Sequence, residues 1–308
     1  LNLNQYPGFQ PAHNEDSVES NQTAKTVYEG RGFMLEQKIK MIALDLDGTL
    51  LSSAKTLGGL SKKVLTKLYE KGVNITLSTG RAFHHTQHVS ALLGFPVQIV
   101  CVDGAYILPL KYKNPILKPF PGKLIRQIIS LLRSHLPYVY LLTEDQIWCQ
   151  DCQKVNKQIY GWGNQLFTTE PDLTEDLQVL QAIYINTTPE ADTLYRLLRE
   201  EIPSLAAELS LSLEPGYSQI TIRPPGVNKG SGLETLAKLL GIKLEESVVF
   251  GDWLNDLPML EKGGLAVTPA NSVDEVKAVA DIVSAYTSDE DFVGRELERL
   301  LLEKKIIA

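Results

Sequence analysis

Short apolar runs recur along the chain and break off into small, acidic or hydroxyl residues. Met41-Ile42-Ala43-Leu44 runs into Asp45-Leu46-Asp47-Gly48-Thr49. Residues 73–77 run into Ser78-Thr79-Gly80-Arg81, residues 97–102 into Asp103-Gly104-Ala105, and residues 247–250 into Gly251-Asp252. Met41 to Leu44 does not alternate, and an unalternating run of this kind reads as a strand buried on both faces, as in a parallel sheet; the other runs read as its neighbouring strands. Between them the spacing becomes helical: Val64, Leu65, Leu68 and Tyr69 before Gly72, then Leu233, Leu236, Ala237 and Leu240 before Gly241. Glycine just past the last apolar position is a helix stop. Ser61 is the expected N-cap of the first helix, and Ser272 with Glu275 reads as a capping box for a later one. Leu297, Leu300 and Leu301 put an apolar stripe on the last helix. The pattern predicts an α/β fold on a parallel sheet, with ligands bound beyond the carboxyl ends of the strands.

Residues 107–224 break this rhythm. Leu124, Ile125, Ile128, Ile129 and Leu132 mark one amphipathic helix. Strand-like segments at 138–143, 146–150, 180–186, 208–214 and 217–222 surround a second helix that starts near Pro189. Pro224-Pro225-Gly226 then punctuates the return. The division predicted is a polar extension over 1–37, a core made of 38–106 and 225–308, and an inserted α/β unit over 107–224.

Composition narrows the function classes. The 308-residue chain is 44% hydrophobic and 22% charged with a formal net charge of −7. That balance argues against general nucleic-acid binding, while a local site can still attract an anion. No apolar stretch is long enough to span a bilayer. Residues 1–37 carry no secretory h-region, and Glu15, Asp16 and Glu19 weaken a transit-peptide reading. A cytoplasmic protein acting on a small molecule, with no nucleic-acid or membrane partner, is the expectation. Nothing in the pattern specifies an oligomeric state. Cys101, Cys149 and Cys152 are too few to predict a disulfide framework.

The chemistry gathers at the strand ends. Asp-x-Asp-Gly is a strand-end turn or an acidic site, because Asp and Gly suit both. A hydroxyl followed by glycine and a helix start, as at Thr79-Gly80, binds phosphate through Oγ and backbone N–H groups, or is an ordinary junction. Lys229 at a helix start either faces solvent or neutralises a phosphoryl group. Asp252 and Asp256 after a buried strand form an acidic turn or, with Asp45 and Asp47, a hard oxygen site suited to Mg²⁺. His84 and His88 share a helix face, but no third ligand stands near them in sequence. Cys149-x-x-Cys152 is ambiguous alone. Tyr160 and Trp162, flanked by glycines, pack or line a pocket.

Asp45-Leu46-Asp47-Gly48-Thr49 resembles the first motif of the haloacid dehalogenase superfamily. Thr79-Gly80-Arg81 is similar to the second motif, and Gly226-Val227-Asn228-Lys229-Gly230 to the third. Gly251-Asp252-Trp253-Leu254-Asn255-Asp256 resembles the Gly-Asp-Gly-x-Asn-Asp fourth motif, with Trp253 replacing a glycine. Asp103-Gly104-Ala105 stands where the family commonly has Asn-Gly-Ala. The order of elements in 107–224 resembles the cap of the Cof-like branch. The resemblance covers about residues 38–308 and implies a Rossmann-like core with Asp45 as nucleophile, forming an aspartyl-phosphate. Asp47 is implied as general acid and base; true dehalogenases lack that second Asp. Mg²⁺ would be held by Asp45, the Asp47 backbone carbonyl and Asp252, with Asp256 supporting from behind. Thr79, Gly80, Lys229, Asn255 and the Leu46 N–H would hold phosphoryl oxygens. The implied activity is hydrolysis of a small phosphorylated metabolite, a sugar phosphate being favoured. Arg81, Asp103, Tyr160 and Trp162 are the candidates for contacting its leaving part. A phosphotransferase or mutase with the same intermediate, and a phosphate-binding protein without turnover, are the rivals. Met34 is the expected start, since the nucleophile of this family lies close to the N-terminus.

Overall fold

The computed structural model describes residues 38–149, 167, 168, 178–212 and 215–303. At its centre is β1 (Met41–Leu44), buried along its whole length. Its alternate side chains enter different layers. Ile42 and Leu44 pack on one face with Val64, Leu65 and Leu68 of α1 (Gly59–Glu70), while Met41 and Ala43 join a separate cluster on the other. Burial on both faces is why the run carries no polar alternation. Next to β1 lies β2 (Asn74–Ser78), followed by α2 (Phe83–Leu93) and β3 (Gln98–Cys101), all strands parallel.

The chain then turns straight back. Val102 and Asp103 have φ of 52° and 50°, in the left-handed region, and Gly104 follows at 93°. This reversal sends β4 (Tyr106–Leu108) and then β5 (Ile116–Leu117) antiparallel along the same sheet. Residues 107–117, expected in the inserted unit, therefore complete the core sheet, and the boundary shifts towards the C-terminus.

The inserted unit has its own six-stranded sheet. Its first helix is α3 (Gly122–Leu131). Then come β6 (Val139–Leu142), β7 (Ile147–Cys149), β8 (Phe167–Thr168), β9 (Gln181–Thr187), α4 (Thr188–Glu201), β10 (Ala206–Leu211) and β11 (Tyr217–Arg223), in sheet order β10-β11-β9-β6-β7-β8. Ile125 and Ile128 of α3, and Ala191, Leu194 and Leu198 of α4, cover Val139, Leu141, Ala182, Ile220 and Ile222. Each fully buried aliphatic side chain there contributes roughly 1.5–3 kcal/mol of transfer free energy.

The second half of the core contains α5 (Lys229–Leu240), β12 (Ser247–Phe250), α6 (Leu257–Leu260), β13 (Leu265–Thr268), α7 (Asp274–Val279), β14 (Ile282–Val283) and α8 (Phe292–Leu302). β12 pairs with β1 on the side opposite β2, giving the order β14-β13-β12-β1-β2-β3-β4-β5. Gly241 ends α5 at φ 66° as expected. Two caps differ from expectation. α1 begins before Ser61 because Asp291, from the far end of the chain, accepts the Leu60 N–H at 2.8 Å and the Ser61 N–H at 3.1 Å. Asp291 thus caps the helix from outside, and the Ser61 hydroxyl donates to it. Ser272 pairs with the Thr268 hydroxyl, and Val273 takes the N-cap position of α7. Cys101 is a buried free thiol and Cys149 is disulfide-bonded. Cys152 lies outside the described residues. Among the described residues, no helix is long and apolar enough to cross a membrane.

Candidate active site

The parallel strands deliver their polar ends to one place. Asp45 follows β1, and its N–H donates to the Phe250 carbonyl at 3.0 Å, which ties the ends of β1 and β12 together. Asp252 follows β12, and Thr79 follows β2 with its N–H on the Val100 carbonyl at 2.9 Å. Lys229 opens α5. The Asn228 Oδ1 accepts from the Ser231 N–H at 2.8 Å and the Ser231 Oγ accepts from the Asn228 N–H at 3.0 Å. This capping box starts α5 at Lys229 and fixes where that side chain emerges. Asn228 with Ser231 three residues on is a cap signal that the sequence itself carries.

Lys229 is 1% exposed, and its Nζ lies 2.6 Å from both Asp45 Oδ1 and Asp256 Oδ1. Burial opposes its charge, but Asp256 and Asp45 overcome that and raise its pKa. Asp256 also receives the N–H groups of Asp252 and Trp253 on Oδ2, at 2.9 and 3.0 Å. It therefore shapes the loop that presents Asp252. Thr49 Oγ1 donates to Asp252 Oδ1 at 2.7 Å. Gly48 has φ 84°, and a Cβ there would run into the Asp252 carboxylate. Glycine is needed at that position on both counts. Trp253 sits at φ −126°, which any residue adopts, and its side chain is exposed. The family's glycine is not required there.

Carboxylate oxygens of Asp45, Asp252 and Asp256 lie within 4.8 Å of one another. Burial pushes the Asp45 carboxyl well up, with Lys229 opposing and Asp256 and Asp252 adding to the rise. Burial and Asp256 push Asp252 up to about 7. Three carboxylates share one ammonium, and a hard divalent cation fits both the donor set and the missing positive charge. Among the described residues, His84 and His88 enter no such group.

Asp47 lies beyond the turn in a different environment. Arg81 grips it with Nε on Oδ2 and NH2 on Oδ1, both at 2.6 Å, and Lys55 Nζ reaches Oδ1 at 2.5 Å. Burial would raise its pKa, but these two cations outweigh it and hold the carboxyl at about 2. In this arrangement Asp47 is ionised. Arg81, expected near the leaving part of a substrate, is here the partner of Asp47. Lys55 was not singled out from sequence and carries no motif.

Asp103 is occupied by protein groups: Gln181, Arg223 and Asn255 all donate to it. Asn255, expected on the phosphoryl group, is turned to Asp103 at 3.1 Å. The Leu46 side chain is fully buried. A cleft between the sheets is lined by Phe83, His84 and Tyr106 of the core and by Thr143, Glu144 and Gln146 of the β6–β7 turn. Tyr160 and Trp162 lie outside the described residues.

Known proteins resemble this chain over most of its length. The family model described as haloacid dehalogenase-like hydrolase matches residues 42–297. The pyridoxal phosphate phosphatase YbhA of Escherichia coli is 29% identical over 261 residues, covering 79% of this chain and 92% of that protein. The 5-amino-6-(5-phospho-D-ribitylamino)uracil phosphatase YcsE of Bacillus subtilis is 25% identical over 264 residues, covering 86% and 96%. The crystal structure of TM0651 from Thermotoga maritima matches with a TM-score of 0.71 at 25% identity, covering 85% of this chain and 97% of that one.

Proposed function

The chain belongs to the haloacid dehalogenase-like hydrolases, in their Cof-like phosphatase branch, and from that premise we propose that it hydrolyses a small phosphorylated metabolite through an aspartyl-phosphate on Asp45. The observation that carries the reading is the buried Lys229, 2.6 Å from both Asp45 and Asp256, with Asp252 beside them at the strand ends. Mg²⁺ would be held by Asp45, the Asp47 carbonyl and Asp252, and supplies the positive charge that lets a phosphate dianion approach a carboxylate.

An Asp45 oxygen attacks phosphorus in line, and the bond from phosphorus to the leaving alcohol breaks. Lys229, Thr79, Gly80 and the Leu46 N–H hold the phosphoryl oxygens, and Asn255 joins them with the amide hydrogen that it does not give to Asp103. The leaving oxygen takes its proton from Asp47. Water then attacks the phosphorus, Asp47 removes a proton from it, and the bond to Asp45 breaks to release inorganic phosphate. Donation by Asp47 requires Arg81 and Lys55 to let go of it first. An incoming dianion competes for both cations, which links substrate arrival to uptake of a proton by Asp47. Discrimination between substrates falls to the inserted unit, because every ester shares the same phosphoryl group. The relatives' named substrates, pyridoxal phosphate and a phosphoribitylamino-uracil, join sugar phosphates as the class to test.

The test is phosphate release from these esters and from a small aryl phosphate, with Mg²⁺ and with chelator, for the wild type and Asp45→Asn. Release that depends on Mg²⁺ and is lost in the variant is expected. Near-native turnover by Asp45→Asn removes Asp45 as nucleophile, and release of no phosphate from any ester overturns the hydrolase reading.

A further inference from the structure

One buried carboxylate collects donors from two strands of the inserted sheet and from the loop that carries Asp252. Asp103 Oδ2 accepts from Gln181 Nε2 at 3.0 Å and from Arg223 NH1 at 3.2 Å, and Oδ1 accepts from Asn255 Nδ2 at 3.1 Å. Gln181 is the first residue of β9 and Arg223 the last of β11, so two strands of the inserted sheet end on this group. Asn255 lies between Asp252 and Asp256. The Asp103 N–H donates to the Thr79 carbonyl at 3.1 Å, which ties it to the end of β2 as well. Holding Val102 and Asp103 in the left-handed region costs of order 1–3 kcal/mol each, most plainly for the β-branched valine. Such strain persists only where the surroundings over-determine it, and four separate hydrogen bonds do so here.

The position of this charge sets a second constraint. A Cβ on Gly80 would stand 3.1 Å from Asp103 Oδ1, so the carboxylate adjoins the segment assigned to the phosphoryl group. An unbalanced negative charge there repels a phosphate dianion. Arg223 supplies the balance, its other arm held by Glu208 Oε2 at 2.8 Å. Asparagine at 103 would need no such partner, and it could not accept from three donors while offering an amide of its own.

We propose that Asp103 and Arg223 form a charge-compensated clasp: it fastens the inserted unit to the core and aims Asn255 towards the phosphoryl site. Both are positioning residues, acting through Asn255 and through the local charge. The proposal rests on the phosphatase reading given above.

The test uses the full-length protein with Mg²⁺, a small aryl phosphate as substrate and inorganic phosphate as inhibitor. Arg223→Gln leaves the Asp103 charge unbalanced, and its repulsion of the dianion raises both KM and the phosphate inhibition constant by about tenfold or more. In Asp103→Asn/Arg223→Gln the Asp103 charge is gone and the introduced amides can pair with each other; Glu208 loses its partner in the single and double variants alike, so the difference between them reports Asp103. The double variant is expected to recover to within about threefold of wild type, which loss of packing alone would not allow. A double variant no better than Arg223→Gln, or a single variant with unchanged constants, overturns the proposal. Should Arg223→Gln fail to fold, Arg223→Lys keeps the charge: constants within about threefold of wild type support the clasp, and a tenfold rise counts against it. Should the wild type release phosphate from no ester, the phosphatase reading fails and the clasp is read by amide hydrogen exchange. Exchange must then quicken together at 181–187, 217–223 and 252–256 in Arg223→Gln and slow again in the double variant. Quickening confined to the strands refutes the coupling to Asn255.

Discussion

Replacing Lys229 with methionine removes a buried charge while keeping most of the volume of its stem. The Lys229 Nζ lies 2.6 Å from Asp45 Oδ1 and from Asp256 Oδ1. At an effective dielectric of about 20, each such pair is worth about 6 kcal/mol. Two pairs together exceed the several kcal/mol needed to desolvate one ammonium. The variant keeps three carboxylates within 4.8 Å and no cation among them. Removing one partner from a buried ion pair costs about 3–5 kcal/mol. Urea unfolding in chelator near neutral pH should show a loss of that size. It should shrink at about pH 5, because protonating the carboxylates removes their repulsion. Mg²⁺ should stabilise Lys229→Met more than the wild type, since it returns positive charge to the same oxygens. Turnover should fall about 10²–10³-fold, the scale for losing a charge aimed at the transition state. A stability loss below about 1 kcal/mol in chelator, with turnover within about threefold of wild type, would show that the paired ammonium is incidental.

Other perturbations test neighbouring parts. Asp45→Asn should fold, judged by far-UV circular dichroism, yet form no phosphoenzyme in rapid-quench experiments with labelled substrate. Asp252 has its folded pKa raised from 3.8 to about 7, so its contribution to stability is full below the unfolded value and is lost as pH rises through about 7. Mg²⁺ takes the ionised forms of Asp252 and of Asp45, whose carboxyl is also raised, so calorimetric affinity should tighten as pH rises through about 7; affinity constant across that window contradicts the assignment. Gly48→Ala, at φ 84° against the Asp252 carboxylate, should destabilise by at least about 1 kcal/mol and weaken Mg²⁺ binding, read by thermal unfolding with and without metal. Replacing both Tyr160 and Trp162 with Ala should change relative kcat/KM among sugar phosphates more than hydrolysis of an aryl phosphate; an equal loss for every ester moves specificity to Arg81 and the cleft beside it.

Sequence by itself determined four strands of the core, β1, β2, β3 and β12, and the residues at their ends. A strand buried on both faces is mostly apolar, and residues 41–44 and 248–250 show that without tertiary context. Asp45, Thr79, Lys229 and Asp252 were legible for the same reason, each next to a local signal for a strand end or a helix start. Only the folded chain decided what those groups touch. The reversal at Val102 and Asp103, which returns β4 and β5 to the core sheet, uses backbone angles that valine does not advertise. Asp291 caps a helix 231 positions away, and Arg223 meets Asp103 across 120. Asp47 reads as a general acid, yet Arg81 and Lys55 hold it ionised. Period and propensity act over a few neighbouring residues, so one sequence displays them. The charge state of a carboxylate follows from burial and from the cations within a few ångströms, and the chain brings those together only when it closes on itself.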